Sequence, residues 1–145
     1  MISVPEHISR RFVYVDCGAR GEAHHPFLSA YPQAQYIGFE ADAEESARLQ
    51  ENFKHGRKIF PVGVGRKKQV LPFYITRNPA CSSLIEHDHS FFGQFLDTNL
   101  DTEVQSVVDL PVVAMDEYLP KMGIFSVDFI ELDTQGSELD ILKGA

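Results

Sequence analysis

Three short apolar runs, each ending in a carboxylate, set the strongest limit on how this chain folds. Residues 12–18 read Phe-Val-Tyr-Val-Asp-Cys-Gly, residues 36–40 read Tyr-Ile-Gly-Phe-Glu, and residues 127–133 read Val-Asp-Phe-Ile-Glu-Leu-Asp. Runs this short and this apolar fit strands covered on both faces, as in parallel sheets. A short helix is predicted between the first two, near residues 24–31, with Pro26 tolerated in its first turn and Pro32 ending it. Asp42 starts a second helix, with Glu45 placed for a capping-box arrangement. That helix is expected to run to about Phe53, where His55-Gly56 stops it. Ile59 to Val64 reads as a third strand. Strand–helix–strand–helix–strand implies an α/β fold with right-handed crossovers between parallel strands.

The rhythm then changes. Gln69 to Thr76 and Glu103 to Met115 read as further strands around an irregular stretch holding Asn78-Pro79 and the aromatic-rich segment from His89 to Leu96. The run ending at Asp133 restores the first pattern, with Gly136 opening a helix. The chain shows no internal repeat and no low-complexity linker, so residues 1–145 are expected to form a single domain.

Composition narrows the partners. A formal charge of −8 opposes general affinity for nucleic acid, which needs a basic surface, and Arg66-Lys67-Lys68 is the one basic cluster. No run is long enough to cross a membrane, and the N-terminal residues lack the pattern of a secretory signal, so a cytoplasmic setting is expected. Cys17 and Cys81 are too few for a disulfide framework or a zinc site. His87-Asp88-His89 reads as a solvated loop rather than a ligand set, and no metal is expected.

Ligands of open α/β sheets bind beyond the carboxyl ends of the strands, so three strand ends draw attention. The first is Asp16-Cys17-Gly18-Ala19-Arg20-Gly21, where the glycines allow a tight turn and close approach to a ligand. It reads Asp-x-Gly-x-x-Gly, an incomplete dinucleotide fingerprint, and a plain strand-to-helix turn has the same pattern. The second is Glu40, about 20 residues further on, where a carboxylate accepts ribose hydroxyls in nicotinamide and adenosylmethionine sites alike; a surface acid ahead of a helix is the plainer alternative. The third is Asp133, which lies beside the glycine loop if its strand neighbours the first. There it could hold a cofactor ammonium or orient a nucleophile, or simply belong to a helix-capping turn with Ser137 and Asp140.

Taken together these segments resemble the FkbM family of methyltransferases. Residues 127–145 resemble its signature almost residue for residue, residues 15–21 its first motif, and Gly38-Phe39-Glu40-Ala41 its second. Asn52, Val62-Gly63-Val64-Gly65, Ser82-Ser83-Leu84 and the segment Met115 to Leu119 follow in the family's order. The resemblance implies a class I methyltransferase (Rossmann-like) fold, a parallel sheet with helices on both faces, using S-adenosylmethionine to methylate a hydroxyl oxygen of a small molecule or glycan. Carried over by motif, Asp16, Gly18 and Gly21 line the methionine side of the cofactor, with Ala19 in the same binding loop. Glu40 binds the ribose, Ala41 and Val64 lie near the adenine, and Asp133 and Gln135 sit close to the sulfonium. Asp133 and Glu138 are the candidates for the catalytic base. The resemblance also implies that the chain stops after the fourth core strand and its helix, short of strands that complete the sheet and part of the acceptor site. Residues 77–102 are expected to lie over the pocket and set acceptor choice.

Two residues depart from the family pattern. Arg20, where Asn is common, sets a cation beside the glycine loop. Glu131, where Lys is frequent, places an acid in a central strand, which is costly unless it is paired. Other readings fit less well. A nicotinamide-dependent oxidoreductase calls for glycine at position 20 or 23, where Arg20 and Ala23 stand. A hydrolase lacks its Gly-x-Ser-x-Gly elbow, and a methyltransferase of base amino groups lacks Asn/Asp-Pro-Pro-aromatic at Asp133. A cofactor-binding remnant without activity stays open as the non-enzymatic alternative.

Overall fold

The computed structural model describes residues 11–21, 28, 31–52, 57–94 and 100–145. Within these the chain forms two compact units, each built from two stretches: residues 1–61 with 119–133, and residues 62–118 with 134–145.

The first unit holds a four-stranded parallel sheet. Its strands are β1 (Val13–Cys17), β2 (Gln35–Phe39), β3 (Arg57–Phe60) and β7 (Phe129–Leu132), in the order β3-β2-β1-β7. All five residues of β1 are buried, as expected of a central strand covered on both faces. Tyr14, Tyr36 and Phe129 stand in register on one face, their rings stacked at centroid distances of 5.5 and 4.9 Å. Helix α1 (Ala43–Asn52) sends Leu49 into that face, where it joins Tyr14, Ala19, Tyr36 and Ile59 in one apolar cluster. Fully burying a side chain such as Leu49 or Ile59 stabilises the fold by about 1.5–3 kcal/mol relative to leaving it exposed. Gly38 is required there: a Cβ would lie 2.5 Å from Ile59 Cδ1 and 2.9 Å from Ala19 Cβ.

The second unit holds a three-stranded sheet, β4 (Gly63–Val64), β6 (Val104–Val113) and β5 (Gln69–Thr76), in that order. β4 runs parallel to β6 and β5 antiparallel to it, with a register shift at Ile75/Thr76. Helices α2 (His89–Phe92), α3 (Met115–Tyr118) and α4 (Glu138–Leu142) belong to this unit, and Val64, Phe73, Leu110, Val112, Met115 and Ile141 are among its buried residues.

The α/β class and the parallel sheet are as the sequence predicts, and the expected neighbour relation of the Asp133 strand to the first is present. Two details differ. The run from Ile59 to Val64 is not one strand, because Pro61 has no N–H to donate; the chain bends at Pro61-Val62, and β3 and β4 join different sheets. The loop expected at His87-Asp88-His89 holds for His87 and Asp88, but His89 opens α2: Asp88 Oδ1 accepts the Ser90 N–H at 2.9 Å and caps that helix, while His87 Nε2 meets the Cys81 carbonyl at 2.6 Å. The helix expected near 24–31 lies almost wholly outside the described residues, as does the stop at His55-Gly56.

Candidate cofactor site

At the carboxyl end of β1 the chain turns through Gly18 (φ 93°) and Gly21 (φ 89°), both in the left-handed region that glycine enters without strain. The Gly18 and Ala19 N–H groups donate to the Phe39 carbonyl at 2.9 and 3.1 Å, fastening the turn to β2. The Gly21 N–H donates to Glu45 Oε1 at 3.1 Å, which ties the far side of the turn to α1. A Cβ on Gly21 would meet no atom of the described residues within 4 Å. On the other side of β1, the Asp133 N–H donates to the Cys17 carbonyl at 3.0 Å. The structure thus brings Asp16, Gly18, Ala19, Gly21 and Asp133 to neighbouring strand ends, with Glu40 at the end of β2 and Ala41 after it. Val64, Gln135 and Glu138 belong to the second unit.

Glu40 is the most informative side chain. It is 5% exposed, and burial raises its pKa; the Asp42 N–H and Arg20 pull the other way, while the charges of Asp42 and Glu45 add to the rise. Its Oε1 accepts the Asp42 N–H at 2.8 Å and lies 3.9 Å from the Arg20 guanidinium. Its Oε2 has no hydrogen-bond partner among the described residues. Arg20 itself is bound chiefly to Asp42, at 2.6 Å, so the cation beside the glycine loop is held by an acid from the start of α1. Asp42 also caps that helix through Oδ1, which accepts the Glu44 and Glu45 N–H groups at 3.0 and 3.2 Å. The box closes through Glu40, because Glu45 is turned toward Gly21 and Arg48.

Two tyrosine–carboxylate pairs lie beneath the loop. Tyr36 donates to Asp16 Oδ2 at 2.6 Å, and Tyr14 donates to Glu131 Oε2. The second pair accounts for the acid in β7: Glu131 is half-buried and hydrogen-bonded, not stranded. Neither tyrosine was singled out from sequence, since each partner is over 15 residues away and no local pattern links them. Cys17, also on β1, is fully buried, and burial, then the charge of Asp16, pushes its thiol well above the ordinary range.

In the second unit the turn Thr134 to Ser137 is strained. Gln135 has φ 59°, the one positive φ outside glycine among the described residues, and Gly136 has φ 112°. Glu138 Oε1 accepts the Thr134 N–H, the Thr134 hydroxyl and the Gly136 N–H at 3.1, 3.1 and 3.0 Å. Burial raises the Glu138 pKa, but these donors outweigh it and leave the carboxyl below its ordinary value. Ser83, buried to 1%, donates to the Gln135 carbonyl at 2.9 Å and accepts the Ile85 N–H at 3.0 Å. Ser137 stands at the N-cap of α4 but makes no side-chain capping bond.

No helix among the described residues is long and apolar enough to cross a membrane. No group of three or more His, Cys, Asp or Glu among them could hold a metal ion.

Comparison with known proteins agrees with this architecture. The methyltransferase FkbM domain matches residues 16–145. The chain is 23% identical over 141 residues to 2-O-methyltransferase NoeI of Sinorhizobium fredii (strain NBRC 101917 / NGR234). That alignment covers 91% of this chain and 56% of the relative, so the chain spans little more than half the length of the protein it matches. No solved structure matches it. With the family matching from the end of β1 to the last residue, the chain belongs to the methyltransferase FkbM domain family.

Proposed function

We propose that this chain binds S-adenosylmethionine through the strand ends of its four-stranded sheet, and that the protein transfers the methyl group to a hydroxyl oxygen of a small molecule or sugar. The observation that carries the reading is Glu40, an almost fully buried carboxylate at the end of β2, with one oxygen unengaged among the described residues, beside the glycine turn that follows β1. A buried acid with an open lone pair suits a pair of ribose hydroxyls. Asp16 and the Gly18–Gly21 turn suit the methionine end, and Ala41 the adenine side. Similarity to a protein named as a 2-O-methyltransferase supports oxygen as the acceptor atom.

The bound cofactor supplies an electrophilic methyl group, which leaves the protein to align the acceptor and remove its proton. Of the two candidate bases, Glu138 has one carboxylate oxygen committed to three donors and a lowered pKa, which makes it a brace for its turn. Asp133, anchored through its backbone beside the glycine turn, is therefore the candidate we keep for the base. Val64 and Gln135 are carried over from the family pattern as further cofactor contacts.

Calorimetric titration with S-adenosylhomocysteine tests the proposal. Saturable one-to-one binding that disappears in Glu40→Ala supports it; a folded chain that gives no binding heat removes it.

A further inference from the structure

Asp16 and Glu131 are direct neighbours in the β1–β7 register and point from the same face of the sheet. Asp16 is 7% exposed, and across from it on β2 stands Gly38, which offers no side chain to hold it. The space over Gly38 is crossed instead by the Tyr36 ring, whose Cε1 lies 3.2 Å from where a Cβ would be. From there its hydroxyl reaches diagonally to Asp16 Oδ2 at 2.6 Å. The ring has little freedom. Arg57 lies over it at 5.8 Å, Tyr14 stacks on it with centroids 5.5 Å apart, and the residue has no exposed surface. Burial, then the charge of Asp16 and the hydrogen bond to it, push the Tyr36 pKa far up, so the phenol keeps its proton and can donate it to Asp16.

We infer that Tyr36 is a positioning residue, whose hydroxyl fixes the orientation of the Asp16 carboxylate toward the methionine end of the cofactor. This rests on the proposed adenosylmethionine site. The locked phenol gives one oxygen of this carboxylate a fixed partner before any ligand arrives. Preformed orientation of this kind strengthens binding by removing an ordering cost. The neighbouring Tyr14–Glu131 pair has the same chemistry one strand over, but it orients a longer, half-buried acid that the site does not call on.

Tyr36→Phe and Tyr14→Phe in the full chain make a matched test, since each removes one hydroxyl and keeps its ring. S-adenosylhomocysteine affinity is expected to fall about tenfold in Tyr36→Phe, the scale of a lost hydrogen bond to a charged group. Tyr14→Phe is expected to lose comparable stability with unchanged affinity. In ligand-free protein, the Asp16 side-chain carboxyl carbon resonance is expected to move in Tyr36→Phe and to hold its place in Tyr14→Phe. Wild-type affinity in Tyr36→Phe, or equal weakening in both variants, overturns the inference while leaving the cofactor site standing. A wild-type chain that takes up no S-adenosylhomocysteine overturns both.

Discussion

At the scale of single residues, Glu40 ties affinity and stability to pH with opposite signs. Its carboxyl has a raised pKa in the fold, so the neutral form is favoured there. Its contribution to stability is therefore largest below the ordinary value of 4.5 and is lost as pH rises through the folded value. Ribose recognition needs the ionised form. Cofactor affinity is thus expected to fall on acidification at a higher pH than an ordinary glutamate would give. Arg20 lowers the Glu40 pKa, against the raising influence of Asp42 and Glu45, so Arg20→Ala is expected to move that loss to still higher pH. Calorimetry with S-adenosylhomocysteine from neutral to mildly acidic buffer reads both midpoints. Glu40→Gln is expected to melt at a higher temperature than wild type at neutral pH while losing the ligand, which differential scanning calorimetry checks. A lower melting temperature would show that ionised Glu40 stabilises the fold.

Elements follow a simpler logic. Helix α1 is fixed at its start by Asp42, which caps two N–H groups and holds Arg20. Asp42→Ala is expected to cost about 1 kcal/mol from the cap alone, read as a lower urea midpoint with unchanged slope. In the sheet, Gly38→Ala forces a methyl against Ile59 and Ala19; overpacking of this sort costs about 1–3 kcal/mol. A Gly38→Ala chain as stable as wild type would mean that the face is looser than described. The strands β1, β2 and β7 were legible because each is a short apolar run whose end bears an acid. The cap at Asp42 was legible too, although its closing partner is Glu40 and not Glu45. Less local features were hidden. The break at Pro61 depends on which sheet accepts the next residues, and the pairing of Tyr14 with Glu131 joins positions 117 apart in sequence. The acid that holds Arg20 is Asp42, 22 residues further on, a pairing that no local pattern marks.

For the whole molecule, the interleaving of segments matters. Each unit takes residues from both sides of the other in sequence, so no single backbone cut yields an intact unit. Limited proteolysis is expected to destroy fragments rather than release a stable core, and a protease-resistant single-stretch unit would contradict this. Ligand linkage acts on the same scale: S-adenosylhomocysteine at 100 times its dissociation constant is expected to add about 2.7 kcal/mol to stability, seen as a higher melting temperature that tracks ligand concentration. Cys17 makes such openings countable. Dry and held in its unreactive thiol form on the central strand, it can meet a thiol reagent only when β1 comes apart, whereas half-exposed Cys81 needs no such event. The two cysteines thus divide the chain's reactivity in time, one recording contact with solvent and the other the moments when the sheet at the centre of the proposed site ceases to exist.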